Sequence, residues 1–249
     1  MLSETLSDEV QRLRQELDRC GRETKQLLDG VVHDLRAAER GIRTSAEILS
    51  IGLSKTLNGD AEAAFLHVLE EITKMNLILT GVSSYSISLP AAGLRFGRVP
   101  MEMALHSALA SLDAEMRESE AVISHGELPG VSGDGERFTL LFRNLIDNAL
   151  KYRSAEAPRI EIQADRKAED WVFSVQDNGI GIDQKYWDGL FTPFKRLHGA
   201  EIPGVGLGLV ICRRILETHG GRIWIESKAG RGARFLFSLP METGTSVSE

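Results

Sequence analysis

Cysteine is scarce in this sequence, which contains two in 249 residues, Cys20 and Cys212. They lie far apart, without a CxxC spacing or a cluster of histidine and cysteine, so neither a disulfide framework nor a zinc site is expected. Long apolar runs are also missing, because none reaches the roughly 18 residues that span a bilayer. The polar start MLSETLSDEV lacks the character of a signal peptide. These absences together predict a cytoplasmic protein without membrane insertion.

An excess of positive charge is missing too, since 36 Asp and Glu residues outnumber 29 Lys and Arg residues and the formal net charge is −7. Proteins that bind nucleic acids neutralise phosphates with a surplus of basic side chains, so nucleic acid is disfavoured as a partner. The 42% hydrophobic and 26% charged content is typical of a soluble globular protein. A chain of this length can form one large domain or two ordinary ones.

The stretch from Leu141 to Leu209 contains three separated polar or glycine-rich clusters. In the first, the sequence LFRNLIDNALKYR places polar residues at offsets of zero, four, seven and eight, which fall on one face of a helix. These residues are Asn144, Asn148, Lys151 and Tyr152. A second arc of the same helix is apolar and can pack on a sheet; it carries Phe138, Phe142, Leu145, Ile146 and Ala149.

The second cluster, DNGIGI at Asp177 to Ile182, closes a strand in which Phe173, Val175 and Asp177 share one face. An inward-facing carboxylate is costly unless a hydrogen-bond donor meets it, and the exocyclic amine of adenine is such a donor. Guanine presents an acceptor at that position, so we expect guanine nucleotides to bind poorly. Gly179 and Gly181 belong to this cluster.

The third cluster, GVGLGL, opens an apolar helical run and contains Gly204, Gly206, Leu207 and Gly208. Glycines free the backbone, so its N–H groups and a helix N-terminus can face phosphate oxygens. By itself, such a glycine-rich segment is at least as often a tight turn as a phosphate-binding loop. All three clusters in this order indicate the walls of one ATP pocket.

The pattern of the N-terminal third predicts a long helix with a coiled-coil seam, because its apolar positions are spaced alternately by four and three residues. The seam positions are Leu6, Val10, Leu13, Leu17, Cys20, Thr24, Leu27, Val31, Leu35, Ala38, Ile42, Ser45 and Leu49. Two successive steps of four form a stutter, which locally unwinds a supercoil, and it falls on His33.

A second helix follows a turn near Ser54 to Gly59, with Asp60 as its N-cap, and ends before Pro90. Its apolar stripe consists of Phe65, Val68, Ile72, Met75, Leu79 and Val82. Two such helices cannot bury both stripes alone. A homodimeric four-helix bundle, extended by the N-terminal coiled coil, is the simplest arrangement that does.

The three clusters resemble the N, G1 and G2 boxes of the histidine-kinase catalytic domain, a branch of the Bergerat-fold ATPases. LFTPFKRLHG resembles the F box of that family, and HDLRAAERGI, from His33 to Ile42, resembles its H box. The stretch from Phe194 onward is most similar to kinases of the phytochrome type. The resemblance covers roughly residues 25 to 240.

The resemblance implies an α + α/β fold. A helical hairpin forming a dimeric four-helix bundle, with a coiled-coil extension, precedes a two-layer α/β sandwich with a mixed sheet, the Bergerat ATP-binding fold. The implied boundaries are a coiled-coil extension at 1–24, a dimerisation and phosphotransfer hairpin at 25–89, a catalytic domain at 95–240 and a disordered tail at 241–249. A flexible linker is expected at 87–94, with its hinge near Leu89 to Leu94.

The resemblance also implies a function. An ATP-dependent protein histidine kinase of a two-component system phosphorylates itself on His33 and passes the phosphate to an aspartate on a response-regulator receiver domain. Asp34 is expected to act with His33 in catalysis, by accepting its proton or orienting its ring. Asn148 coordinates Mg²⁺, Lys151 neutralises phosphate charge, Tyr152 flanks the nucleotide and Arg196 contacts the γ-phosphate. A sensor domain or protein is expected upstream.

Four positions depart from the family pattern or separate this chain from hydrolysing relatives of the fold. Hydrolysing ATPases of the fold carry a glutamate where Asn144 stands, and an amide cannot act as that base. Ala37 and Ala38 replace the usual polar residue and proline after the phosphorylated histidine, which predicts weak or absent phosphatase activity. Val205 replaces a hydroxyl residue in the glycine box, which predicts modest ATP affinity.

Two other functions stay open. A nucleotide-binding pseudokinase scaffold is favoured by the altered H box, and uptake of acid-labile, alkali-stable label from ATP would separate it from a kinase. An ATPase of the same fold would release phosphate without labelling the protein. A serine kinase of the anti-sigma type is disfavoured, because such kinases lack a histidine-bearing hairpin.

Local patterns in the second half predict further elements. They predict one helix from Met101 to about Arg117, a loop from Gly130 to Gly135, a mobile lid from Gln184 to Gly204 and a helix from Val205 to His219. His219 is expected to have a structural role, with partial charge favoured at a helix C-terminus. His67, His106 and His125 receive no function.

Overall fold

A computed structural model describes residues 2–53, 59–89, 96–197 and 202–241. The chain divides into two compact units, Met1–Ile87 and Ser88–Glu249. Most of the predicted turn (54–58), the later part of the predicted linker (90–94), the tip of the predicted lid (198–201) and the tail from 242 lie outside the described residues. The separate coiled-coil boundary at residue 24 stays a prediction.

The first unit contains two helices, α1 at Leu2–Leu53 and α2 at Gly59–Ser88. Buried positions recur at steps of seven on each helix: Val32, Glu39 and Ala46 on α1, and Ile72, Leu79 and Ser86 on α2. The predicted seam of α1 lies elsewhere on its surface. Leu27, Val31, Leu35, Ile42 and Leu49 are 47% to 71% exposed. The hairpin therefore leaves an apolar stripe uncovered in the single chain.

Two of these six positions, Ser86 and Glu39, are polar, and each has a partner. The Ser86 hydroxyl donates to Asp29 Oδ1 at 2.6 Å, linking α2 to α1. This hydrogen bond lowers the pKa of Asp29, with Lys25 adding a smaller effect in the same direction. The buried carboxylate of Glu39 accepts from Arg43 Nε at 2.9 Å, so its charge is compensated within α1.

The second unit is built on a five-stranded mixed sheet with the order β2-β4-β5-β7-β6. Its strands are β2 at Val122–His125, β4 at Arg159–Lys167, β5 at Asp170–Asp177, β6 at Arg222–Ser227 and β7 at Ala233–Pro240. The edge strand β2 runs parallel to β4, and all other pairs are antiparallel. A separate two-stranded ribbon joins β1 at Gly97–Pro100 to β3 at Gly130–Gly133.

Helices pack on this sheet through an aromatic core. The helices of this unit are α3 at Met101–Ala110, α4 at Asp113–Glu118, α5 at Gly135–Lys151 and α6 at Gly208–Thr218, with a short 3₁₀ helix at Gln184–Gly189. Of these, α5 and α6 contact the sheet. Phe173 and Phe237 stack at 4.8 Å between ring centroids, and Phe142 of α5 meets Phe237 at 6.1 Å. The apolar arc predicted for α5 faces this core, since Phe138, Leu145 and Ile146 are buried.

Three local predictions were wrong. The single helix expected from Met101 breaks at Ser111, whose hydroxyl bonds Ala108 O at 2.7 Å, and at Leu112, which is buried. Serine competes for helix carbonyls in this way. The glycine-rich stretch predicted as a loop forms β3, which pairs with β1. The helix expected from Val205 begins at Gly208.

His219 has a structural position, but the prediction of partial charge was wrong. Its Nδ1 donates to Ile215 O at 2.7 Å, and its Nε2 accepts from the Asp134 backbone N–H at 3.1 Å. A ring that accepts at one nitrogen is neutral. Burial lowers the pKa of His219. This effect is larger than the stabilisation of a positive charge by the helix C-terminus. The ring also packs on Phe138, at 4.6 Å between centroids.

The predicted fold class is confirmed: a helical hairpin precedes a two-layer α/β sandwich with a mixed sheet. The dimer stays a proposal. Within the described ranges, neither hairpin helix nor any helix of the sandwich combines the length and hydropathy of a bilayer-spanning segment.

Candidate functional site

Helix α5 presents the predicted polar face beside the sheet. It begins at an N-cap, Asp134, whose carboxylate accepts from the backbone N–H groups of Glu136 and Arg137 at 3.0 and 3.2 Å. Its apolar arc is buried in the core, so the polar arc must point away from the core. Asn144, Asn148, Lys151 and Tyr152 are all half-buried. They are therefore partly covered rather than fully solvated.

Asn144 stands where α5 meets the glycine-rich loop. Its Nδ2 donates to Leu140 O at 2.8 Å, within its own helix. Its Oδ1 faces the start of α6, since a Cβ built on Gly208 would lie 3.2 Å from that oxygen. The first and third sequence clusters are therefore adjacent in space.

Asn148 and Lys151 differ in their surroundings. The side-chain amide of Asn148 makes no hydrogen bond to any other described residue, so its oxygen is available to a ligand. Lys151 Nζ binds Asp147 Oδ2 at 2.5 Å across one helical turn. Sequence reasoning missed Asp147, although its i,i+4 spacing to Lys151 could have revealed the pair. The lysine must exchange this carboxylate for phosphate to act as predicted.

Asp177 lies at the end of β5, on the face that Phe173 and Val175 share, as predicted. Its Oδ1 accepts from the backbone N–H groups of Gly179 and Ala233, at 2.8 and 3.1 Å. Burial raises the pKa of Asp177, and these two hydrogen bonds oppose that rise. Both bonds fall on Oδ1, and no described donor reaches Oδ2. Oδ2 is thus free to receive a ligand's N–H group.

Glycine is required at two positions around Asp177 and the loop. A Cβ on Gly179 would lie 2.3 Å from Tyr152 O and 2.9 Å from Asp177 Oδ1. Gly206 has a φ of +76°, and a Cβ there would lie 2.8 Å from Lys195 O. The glycine loop therefore packs directly against the F-box segment, whose Phe194 N–H donates to Gly206 O at 3.1 Å.

Tyr152 and Arg196 are close enough to interact electrostatically. Burial raises the pKa of the Tyr152 hydroxyl, and the nearby Arg196 charge opposes that rise. The Arg196 guanidinium also donates to Ile202 O. Arg196 thus lies on the α5 side of the site, between Tyr152 and the loop that precedes Gly204.

The N-terminus of α6 offers backbone donors without a side-chain cap. Leu207 is its N-cap, and no described side chain satisfies the first-turn N–H groups. Uncapped N–H groups and the helix dipole favour an anion at this position. Val205, half-buried just before it, contributes no hydroxyl.

His33 lies in the other unit, on α1. Its side chain is 79% exposed, and Nδ1 is 3.2 Å from Asp34 Oδ1. A carboxylate can only accept, so Nδ1 carries the proton in this pair and Nε2 carries the free lone pair. The exposed imidazole therefore presents a nucleophilic nitrogen to solvent.

The residues of the second unit fit a magnesium nucleotide. Asp177 Oδ2 matches the adenine amine, the first turn of α6 matches phosphate oxygens, and the Asn148 amide oxygen suits a hard cation. Among the predicted residues, those of α5, Asp177, Gly179, Gly206 and Gly208 are brought together. Ser227, which the sequence analysis did not single out, also stabilises this region. Its hydroxyl accepts from Ile182 N–H and donates to Gly232 O, both at 2.8 Å.

Comparisons with known proteins agree with this geometry. Residues 133–243 match the family described as histidine kinase-, DNA gyrase B- and HSP90-like ATPase. Cyanobacterial phytochrome A of Nostoc sp. (strain PCC 7120 / SAG 25.82 / UTEX 2576) is 38% identical over 236 residues, which cover 94% of this chain and 31% of that protein. The chain thus spans about a third of this curated relative.

Two solved structures share the fold. The catalytic domain of the histidine kinase ThkA has 26% identity and a TM-score of 0.51, covering 59% of this chain and 96% of that one. A structure of ThkA in complex with the response regulator TrrA has 22% identity and a TM-score of 0.59, covering 91% of this chain and 66% of that one. The likeness to the ThkA–TrrA structure, at 22% identity, shows the fold alone. The family match, the phytochrome relative and the ThkA catalytic domain place this chain among the sensor histidine kinases.

Proposed function

We propose that this chain is the catalytic and phosphotransfer part of a two-component kinase. It binds ATP with Mg²⁺ in the second unit, transfers the γ-phosphoryl group to His33, and passes it to an aspartate of a response-regulator receiver domain. The proposal rests above all on His33, exposed and paired through Nδ1 with Asp34, in a chain that also carries an ATP-type site.

The phosphoryl transfer balances with the groups present. The Nε2 lone pair of His33 forms a bond to the γ-phosphorus, and the bond from that phosphorus to the bridging oxygen breaks. ADP leaves with the electron pair. The Nδ1 proton stays beside Asp34, whose carboxylate offsets the positive charge that develops on the ring.

The nucleotide site itself lacks a base that could activate water at the Asn144 position. The amide of Asn144 has no basic lone pair at neutral pH, and its Nδ2 is already engaged with Leu140 O. Bound ATP should therefore survive until an imidazole reaches it. This supports a kinase over an ATPase.

Charge neutralisation falls to three groups of the second unit. Mg²⁺ held by the Asn148 amide oxygen would offset phosphate charge, as hard cations do in phosphoryl transfer. Lys151 would turn from Asp147 toward a phosphate oxygen, and Arg196 would approach the γ-phosphate. Tyr152 would lie alongside the nucleotide.

The uncovered stripe of the hairpin supports a homodimer. Leu27, Val31, Leu35, Ile42 and Leu49 are exposed in the single chain and follow coiled-coil spacing. A second copy presents the same stripe, so a two-fold four-helix bundle would bury both. Because ThkA was solved with a response regulator, we extend that partner class to this chain. The cytoplasmic location and the upstream sensor stay predictions.

Transfer to a panel of purified receiver domains tests the function. Protein labelled from γ-labelled ATP and freed of nucleotide should pass its label to one or a few receivers, and not to receivers whose acceptor aspartate is replaced by asparagine. A protein that takes up no label, or that keeps it in the presence of every receiver, would contradict the proposal.

Restoring a polar residue one turn after His33 should create phosphatase activity. Ala37 is exposed and four residues from His33, so both lie on one helix face. Ala37→Thr places a hydroxyl where it can position water, and should speed dephosphorylation of the labelled receiver on the order of tenfold to a hundredfold. Ala37→Val, similar in shape but without the hydroxyl, should leave the rate unchanged. Equal rates for both variants would refute the role assigned to this position.

A further inference from the structure

Three potential metal ligands converge on the second unit, away from the nucleotide residues. Glu102 and His106 lie one turn apart on α3, and His125 ends the edge strand β2. One ligand atom from each lies within 4.8 Å of the others. The two imidazole rings meet edge to face, at 5.6 Å between centroids. Sequence reasoning assigned these histidines no function, because a separation of 19 residues concealed their proximity.

The hydrogen bonding of His125 prepares one ring for a metal. Its Nδ1 is 2.9 Å from Gly126 O, and a carbonyl can only accept, so Nδ1 carries the proton. Nε2 therefore has a free lone pair. A ligand histidine typically donates its other N–H to a backbone carbonyl or carboxylate, which fixes its tautomer and orientation.

We propose that Glu102, His106 and His125 bind a divalent transition-metal ion of the Zn²⁺ class. Two imidazoles and a carboxylate suit such ions, whereas Mg²⁺ and Ca²⁺ prefer oxygen ligands. Metal–ligand distances of about 2.0–2.2 Å require the ligand atoms to close to roughly 3.5 Å. Because Glu102 and His106 are exposed, rotation of these two side chains toward His125 would close the gap. Three protein ligands leave a position for water.

The proposed ion would connect two elements that the backbone leaves separate. β2 is a four-residue edge strand paired only with β4 in the sheet, and α3 packs on α5. A metal shared by α3 and β2 would fasten this edge to the helical layer. Bound metal should therefore also raise the thermal midpoint of the second unit.

Metal titration of the full chain tests the site, with Zn²⁺ followed by calorimetry and Co²⁺ by its visible absorption. His106→Ala, His125→Ala and Glu102→Gln should each weaken binding at one site by at least about tenfold, as changes to metal ligands do. The control His67→Ala removes another exposed histidine, whose Nδ1 lies 3.8 Å from Glu70 Oε2. It should bind as the wild type does, and Mg²⁺ should not compete.

The proposal fails if all variants bind Zn²⁺ and Co²⁺ as the wild type does, or if His67→Ala loses as much affinity as His125→Ala. Glu102→Gln preserves the size of an exposed side chain, so it separates loss of a ligand from loss of folding. The thermal midpoint without metal should be the same for this variant and the wild type.

Discussion

Replacing His33 with glutamine will abolish the uptake of acid-labile, alkali-stable label from γ-labelled ATP. Glutamine keeps a polar side chain at an exposed position, but its amide has no nucleophilic lone pair at neutral pH. Because the His33 side chain is 79% exposed, the substitution should not disturb packing. Binding of ATP analogues in the second unit should therefore match that of the wild type. The measurement is label on the protein per chain, followed with time.

His67→Gln is the matched control for this experiment. His67 is also exposed, lies on the other helix of the hairpin, and has a carboxylate neighbour in Glu70. It should take up label at the wild-type rate. Undiminished labelling of the His33 variant would show that the acceptor is another residue.

Replacing Asp177 with asparagine will weaken ATP binding while preserving the fold. The asparagine Oδ1 can still accept from the N–H groups of Gly179 and Ala233. Its Nδ2 would then face the proposed position of the adenine amine. Two hydrogen-bond donors would face each other there, in place of a carboxylate acceptor and one donor. A hydrogen bond to a charged group contributes about 1.5–3 kcal/mol, which corresponds to roughly a tenfold to a hundredfold loss of affinity. Calorimetry with a non-hydrolysable ATP analogue measures it.

The same variant should narrow the preference for ATP over GTP, because an amide N–H can donate to the guanine oxygen. Asp183→Asn is the control, since Asp183 is exposed and caps the 3₁₀ helix through the Lys185 N–H. Its nucleotide affinity should equal that of the wild type. If Asp177→Asn bound ATP as tightly as the wild type, adenine would have to be recognised by another group.

The sequence predicts those parts of the fold that local periodicity determines. The shared face of Phe173, Val175 and Asp177 follows from the two-residue repeat of a strand, and the strand register confirms it, with Asp177 opposite Ile160. The apolar arc of α5 follows in the same way from helical spacing. Both depend only on neighbouring residues.

Features that depend on distant partners were missed. β3 reads as a loop because its glycines are poor strand formers, but Gly133 pairs with Gly97 of β1. At Gly133 a Cβ would lie 2.4 Å from the Phe138 ring, so the glycine is required by packing rather than by a turn. The tautomer of His219 likewise depends on the backbone N–H of Asp134, 85 residues earlier, which donates to Nε2.

The candidate site shows the same division. Helical spacing alone places Asn144, Asn148 and Lys151 on one face. The i,i+4 spacing is also compatible with the ion pair between Lys151 and Asp147, but it does not show that Gly208 approaches Asn144. Such contacts depend on side-chain rotamers and on the docking of α6 against α5, and residue type alone does not specify either.

The fate of the γ-phosphate in a single turnover distinguishes a histidine kinase from an ATPase or a scaffold. With γ-labelled ATP below the protein concentration, protein-bound label and free phosphate are measured together in the wild type and in His33→Gln. The proposed mechanism predicts that label accumulates on wild-type protein before free phosphate appears, and that the variant retains intact ATP. Release of free phosphate at equal rates from both proteins, without labelled protein, would contradict it.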